Sequence, residues 1–69
     1  MPEIKVLAQR VLKFRNDLGE NQFEFAEKCG ISVYTVSAIE SQNCNPRLET
    51  LQKIAAYTGS TVSELLMVE

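Results

Sequence analysis

Residues that could carry catalytic or metal-binding chemistry are scarce in this sequence. It contains no histidine, the commonest general base, and its serines have no visible activating partner. Its two cysteines, Cys29 and Cys44, fall short of the roughly four ligands of a structural zinc site. We therefore predict that the chain is not an enzyme and holds no metal and no cofactor, and no small-molecule ligand is evident.

The composition is that of an ordinary globular domain. The chain has 69 residues, of which 45% are hydrophobic and 23% charged, and no apolar run approaches the ~18 residues of a membrane span. The N-terminus also lacks the apolar stretch of a signal peptide. These features predict one domain over residues 1–69 of a cytoplasmic protein, with no membrane partner. We accordingly interpret the cysteines as reduced thiols rather than a disulfide, with Cys29 in the core.

The charge is slightly acidic in total and unevenly distributed. Seven basic residues stand against nine acidic ones, which gives a net charge of −2. Bases dominate the first fifteen residues, and acids dominate from Asp17 to Glu27. Such a total is unfavourable for nucleic-acid binding, where attraction to phosphates dominates affinity. Only the uneven distribution favours it.

Five short helices position the polar side chains. Gly, Pro and Asn residues separate blocks whose apolar residues recur at helical spacing, and no block alternates with the period of a strand. The helices are predicted over about 4–17, from the cap Asn21 to Gly30, from the cap Ser32 to about Ser41, over about 48–57, and from the cap Thr61 onwards. We predict an all-α fold, a compact five-helix bundle.

Each predicted helix carries apolar residues on one face. Those expected to face the core are Ile4, Leu7, Val11, Phe14 and Leu18, then Phe25, Ala26 and Cys29, then Val36 and Ile39, then Leu48, Leu51, Ile54 and Ala55. Capping boxes are predicted at Asn21 with Glu24 and at Thr61 with Glu64.

The segment from about Gln22 to Ser41 has the features of a helix-turn-helix. Two helices of about eight residues each are joined by a tight turn that contains Gly30. Ala26 allows the helices to approach closely, and Gly30 allows a positive φ at the turn. We therefore predict that the two helices cross at a fixed, steep angle.

The sequence resembles the Cro/cI-type helix-turn-helix (XRE) family. The resemblance lies in NQFEFAEKCGIS (21–32), VSAIE (36–40), NPRLETL (45–51) and GSTVSELL (59–66), and it extends over about residues 7–66. It implies a lambda-repressor-like DNA-binding domain and a sequence-specific transcriptional regulator. A repressor that binds a palindromic operator as a homodimer is the leading hypothesis.

The resemblance also implies which residues would contact double-stranded DNA: Gln22, Ser32, Val33, Tyr34, Ser37, Ala38, Ser41 and Arg47. Gln22 matches a position whose side chain approaches a phosphate and can reach a base edge. Arg47 matches one that reaches the minor groove in some phage repressors, although a phosphate contact or an ion pair with Glu49 is an equal alternative. Arg15 and Glu40 match a structural ion pair.

Three departures from the family pattern bear on recognition. Gln42 stands where the family usually has Gly, so the third helix is expected to end differently. Glu20 stands where an apolar residue usually precedes the cap, and we expect its charge near the DNA backbone. The third helix offers no Arg, Lys, Asn or Gln for bidentate base readout, so recognition would depend on Gln22, methyl contacts and DNA shape.

Two further expectations concern partners. The apolar run Leu65, Leu66, Met67 and Val68 is predicted to form the homodimer interface, because a chain end is normally polar. The alternative function is a protein-interaction module on the same fold, resembling an anti-repressor or an antitoxin, with weak or no DNA binding. The acidic balance favours this alternative.

Overall fold

The computed structural model describes residues 2–43 and 45–67. The helices in these stretches, in chain order, are α1 (Pro2–Leu18), α2 (Gln22–Cys29), α3 (Val33–Glu40), α4 (Leu48–Thr58) and α5 (Val62–Leu66). The same stretches contain no strand, and the predicted all-α fold is confirmed. None of these helices is long and apolar enough to cross a membrane.

Every helix contributes to one hydrophobic core. α2 packs against α3 and α4, α1 packs against α3 and α5, and α4 packs against α5. The largest fully buried side chains are Leu7, Val11, Phe25, Val36, Ile39, Ile54 and Leu65. Cys29 is buried among them with a free thiol, as expected.

Two leucines expected in the core lie at the surface instead. Leu18 is 51% exposed and Leu48 is 61% exposed. Leu18 is the last residue of α1 and Leu48 is the first residue of α4. Helical spacing assigns both to an inner face, but a terminal turn is buried only where another helix covers it.

Both predicted capping boxes are present. The Asn21 side chain accepts a hydrogen bond from the Glu24 amide at 2.8 Å, and the Glu24 carboxylate accepts one from the Asn21 amide at 3.0 Å. Thr61 and Glu64 form the same reciprocal pair at the start of α5. Each box satisfies amides that have no partner within the helix, so both helix starts are fixed locally.

The ends of α2 and α3 both use the left-handed conformation. Gly30 has φ 78° and donates its amide to the carbonyls of Ala26 and Glu27. Gln42 has φ 63°, and the next amide, that of Asn43, reaches back to Ala38 O at 2.9 Å. Gln42 thus adopts a left-handed conformation that Gly adopts more readily, at a cost of roughly 1–2 kcal/mol, so the absence of Gly does not prevent a left-handed residue after α3.

Candidate nucleic-acid interface

α3 is held rigidly against the rest of the fold. Val36 and Ile39 are buried against α1 and α2, and the Ile31 amide donates to Ala26 O at 3.0 Å across the turn. The Ser32 hydroxyl accepts a hydrogen bond from the Tyr34 amide at 3.1 Å, which caps the helix. The opposite face of α3 is therefore presented to solvent in one orientation.

The exposed face of α3 is aromatic and polar without charge. Tyr34 is 82% exposed, Ser37 and Ser41 are exposed, and Ala38 is half-buried. The Ser41 hydroxyl donates to Ala38 O at 3.2 Å, so it is engaged at the helix end. Val33 is partly buried against the core, whereas the family resemblance implied that it contacts DNA.

A shallow depression joins α3 to the start of α4. Its lining residues are Tyr34, Thr35 and Ala38 from α3, and Asn45, Pro46, Arg47 and Thr50 from the following loop and α4. Three residues expected at a DNA interface, Tyr34, Ala38 and Arg47, thus come together. The sequence analysis missed Thr35, Asn45 and Thr50, whose only signal was their position beside the expected residues.

Arg47 occupies the N-cap position of α4 without capping it. Its backbone is extended, with φ −74° and ψ 156°, and no side chain caps the first amides of this helix. Glu49 pairs with Lys53 at 3.5 Å, and among the described residues no ion pair joins Glu49 to Arg47, which was one of the alternatives for Arg47. The exposed Arg47 guanidinium and the uncapped amides of α4 are the positively polarised groups at this edge of the depression, and the Glu49 carboxylate lies in the same turn.

A bidentate ion pair links α1 to the end of α3. Arg15 Nε and Nη2 donate to the two carboxylate oxygens of Glu40 at 2.9 and 3.1 Å, with 17% and 11% of the two side chains exposed. The hydrogen bond to Glu40 raises the pKa of Arg15. Arg15 Nη1 also donates to the backbone carbonyl of Glu20 at 3.1 Å. The pair expected from the family resemblance is therefore present, and it also anchors the α1–α2 turn.

Gln22 is not in the depression but beside this ion pair. It lies at the first position of α2, half-buried, and its Nε2 donates to Glu40 Oε1 at 3.2 Å. Side chains from α1 and α2 therefore share the Glu40 carboxylate of α3. Nothing in the sequence alone indicated the contact between Gln22 and Glu40.

Glu20 faces inward, so the expectation that its charge lies near the DNA backbone is wrong. Its side chain is buried, forms an ion pair with Lys28, and accepts a hydrogen bond from the Tyr57 hydroxyl at 2.8 Å. Tyr57 in turn packs edge-to-face against Phe25, with ring centroids 5.7 Å apart. This cluster ties the α1–α2 turn to α2 and α4.

The charges of this cluster are mutually stabilised. The hydrogen bond from Lys28 lowers the pKa of Glu20, against the opposing effect of burial, and the same bond raises the pKa of Lys28. Burial raises the pKa of the neighbouring Cys29 thiol to about 11, with a smaller contribution from Glu20. Cys29 therefore stays protonated and unreactive near neutral pH.

The lowered pKa of Glu20 predicts a specific pH dependence of stability. Its contribution is fully present above its ordinary pKa of 4.5 and is lost as the pH falls through the lower pKa of the folded state. We expect Glu20→Gln to melt below the wild type near neutral pH, and the gap to narrow below about pH 4. Thermal melts from neutral pH to below about pH 4 measure the difference in melting temperature, and Glu27→Gln, at an exposed position, is the control. A gap that stays constant with pH would contradict the assignment.

The four residues expected at a dimer interface differ in their exposure. Leu65 is fully buried in the core of the subunit, so it is not available to a partner, and its assignment to the interface is corrected. Leu66 is partly buried against that core, whereas Met67 is 52% exposed. Val68 lies outside the described residues.

The rigid pair of α2 and α3, with an exposed second helix, defines a helix-turn-helix protein. The sequence profile of the helix-turn-helix family matches residues 11–65. The chain belongs to this family, and within it to the Cro/cI (XRE) type.

Several known proteins are similar to the chain. A Neisseria meningitidis protein described as a hypothetical transcription factor is 37% identical over 62 residues, which cover 90% of this chain and 58% of that protein. The transcriptional regulators DdrOP3 of Deinococcus deserti and SinR of Bacillus subtilis are 38% and 32% identical, over 87% and 88% of this chain and 46% and 56% of theirs. The chain thus spans about half the length of these relatives.

The fold is similar to a solved structure. The crystal structure of a hypothetical transcription factor from Neisseria superposes with a TM-score of 0.84 at 36% identity, covering 93% of this chain and 74% of the other. The likeness therefore includes the helix-turn-helix and the helices that hold it.

Proposed function

We propose that this chain binds double-stranded DNA as the recognition domain of a transcriptional regulator acting in the cytoplasm. In this arrangement α3 enters the major groove, while α2 crosses the sugar-phosphate backbone. The relatives are described as transcription factors or transcriptional regulators, which supports the proposal. The finer assignment is a repressor that occupies a palindromic operator as a homodimer, without a cofactor.

One observation carries the proposal: the depression between α3 and α4 presents an exposed aromatic ring beside an unpaired cation. Tyr34 offers a ring and a hydroxyl on the α3 side, and Arg47 offers a guanidinium at the start of α4. A base edge and a neighbouring phosphate need this combination of a neutral contact and a positive one. Ser37 and Ala38 would add a hydrogen bond and a methyl contact.

The charge distribution predicts how much of the DNA affinity would be nonspecific and how much would depend on sequence. The exposed face of α3 carries no charge, and the net charge of −2 gives little general attraction to phosphates. Nonspecific DNA binding should therefore be weak. Specificity would come from Tyr34, Ser37, Ala38 and Gln22, together with the sequence-dependent shape of the DNA.

The homodimer is supported by the exposed end of α5. Met67 is exposed next to the partly buried Leu66, and a two-fold axis would bring two copies of this patch together. The patch is small, so we propose a weak dimer that forms fully on DNA. Two α3 helices would then meet half-sites about one helical turn apart.

Selection of bound sequences from random DNA at about 50–100 mM salt tests the function directly, since affinity falls steeply with salt. The expected result is an enriched sequence with two-fold symmetry. Recovery of unenriched DNA, together with a stable complex with another protein in place of DNA, would instead favour the protein-interaction module that the acidic balance suggests.

Tyr34→Ala should lower the affinity for the selected sequence by about 1–3 kcal/mol and leave the melting temperature unchanged, because the ring is exposed. Fluorescence anisotropy with labelled duplex measures the loss. Leu12→Ala is the control, since Leu12 is an exposed apolar residue of α1, which is not one of the two helices proposed to contact DNA. Wild-type affinity in Tyr34→Ala would remove Tyr34 from the interface.

A further inference from the structure

The Gln22 side-chain amide is oriented by Glu40, which can accept a hydrogen bond from the amide nitrogen but cannot donate one to the amide oxygen. Its Nε2 lies 3.2 Å from Glu40 Oε1, and a carboxylate accepts hydrogen bonds but donates none. The amide oxygen of Gln22 therefore cannot replace the nitrogen at this position. One N–H of Gln22 is engaged, while its second N–H and its carbonyl oxygen remain available as an adjacent donor and acceptor.

The Glu40 carboxylate is held in place by contacts other than the one with Gln22. Both of its oxygens receive hydrogen bonds from the Arg15 guanidinium, and only 11% of its side chain is exposed. Arg15 also holds the Glu20 carbonyl, two residues before Gln22. The guanidinium thus fixes the carboxylate that orients Gln22 and the backbone from which α2 starts.

We propose that Glu40 is a positioning residue for DNA recognition: it holds the Gln22 amide in the orientation that contacts DNA. The inference rests on the proposed DNA-binding function. A free glutamine side chain loses rotamer entropy when it binds, and a side chain already ordered in the free protein avoids that loss. Glu40 thereby acts on DNA affinity without touching DNA, through the available donor and acceptor of Gln22.

Glu40→Met is the informative variant because it keeps the length of the side chain and removes both acceptors. Glu40→Gln would not do so, because its amide oxygen could take the place of Oε1 and still accept from both Arg15 Nη2 and Gln22. We expect Glu40→Met and Gln22→Ala each to lower operator affinity about tenfold, and the double variant also about tenfold rather than about hundredfold. Binding is measured at low temperature, where each variant is shown to be folded. Asp17→Asn is the matched control, since it removes a carboxylate from the exposed pair with Lys13.

A second measurement needs no variant. In the wild-type protein without DNA, the order parameter of the Gln22 side-chain amide from nitrogen-15 relaxation should approach the rigid value of about 0.85. The exposed side chains of Gln9 and Gln52 are internal controls and should lie below about 0.6. If Glu40→Met does not fold, this comparison alone decides whether the Gln22 side chain is held.

The outcomes separate the two proposals. If Gln22 is as mobile as Gln9 and Gln52, or if the two single losses add in the double variant, the positioning role is overturned while DNA binding stands. If a destabilised but folded Glu40→Met binds with wild-type affinity, Glu40 is only structural and the role is again overturned. If the wild type binds no DNA, the proposed function fails, and the positioning role in recognition fails with it.

Discussion

Replacing Arg15 by Met lowers the free energy of unfolding by about 3 kcal/mol, because it leaves the Glu40 carboxylate mostly buried without its charge partner. The loss is large for this chain, since a core of this size supplies roughly 3–5 kcal/mol. We therefore expect much of the Arg15→Met population to be unfolded near 37 °C. Glu40→Leu should lose stability in the same way, because it leaves the Arg15 guanidinium without a carboxylate.

Urea denaturation of Arg15→Met, Glu40→Leu and the double variant measures this pair. The double variant should recover part of the loss, since two apolar side chains of similar volume can replace a buried ion pair. Lys13→Met with Asp17→Leu is the matched cycle for an exposed pair, with 76% and 63% of the side chains accessible, and should show little coupling. Little coupling between Arg15 and Glu40 as well would mean that solvent screens both pairs alike.

Features set by neighbours in the chain were predictable from the sequence. The caps at Asn21 and Thr61 and the turn at Gly30 each depend on residues within one helical turn, and all three are present in the structure. The start of α1 was less certain. It begins at Pro2 rather than near residue 4. The sequence did not indicate this start, since no capping residue marks it.

Burial at helix ends was not predictable, because it depends on what packs there. Leu18 and Leu48 fit the helical spacing yet are exposed, whereas Glu20 is charged yet buried. Glu20 is paired with Lys28 of α2, and its second partner, Tyr57, comes from α4 and is remote in sequence. Neither the composition nor the spacing of apolar residues indicates a contact between residues so far apart in sequence.

The contacts in the candidate site differ in whether the sequence could predict them. The Arg15–Glu40 pair followed from the family resemblance, since no spacing relates residues on α1 and α3. The hydrogen bond from Gln22 to Glu40 followed from neither, because it depends on how α2 starts against the end of α3. Thr35 and Thr50 line the depression only because the loop after α3 returns α4 to its side.

The second large effect concerns the dimer. Met67→Glu should lower the affinity for a symmetric operator about hundredfold, because two linked recognition helices gain this order of affinity over one. Met67 is the appropriate site, since its side chain is exposed and a charge there leaves the core intact. Leu65 and Leu66 are unsuitable, because charging a buried or partly buried residue unfolds the subunit as well.

Sedimentation across protein concentration, with and without operator DNA, measures the assembly. The wild type should bind a two-half-site duplex cooperatively and dimerise weakly on its own, near or above micromolar. Met67→Glu should remain a monomer, melt as the wild type and bind one half-site with unchanged affinity, whereas Met67→Leu should retain cooperative binding. Cooperative binding that survives in Met67→Glu would exclude this patch, and the two subunits would then have to meet through another surface of the fold.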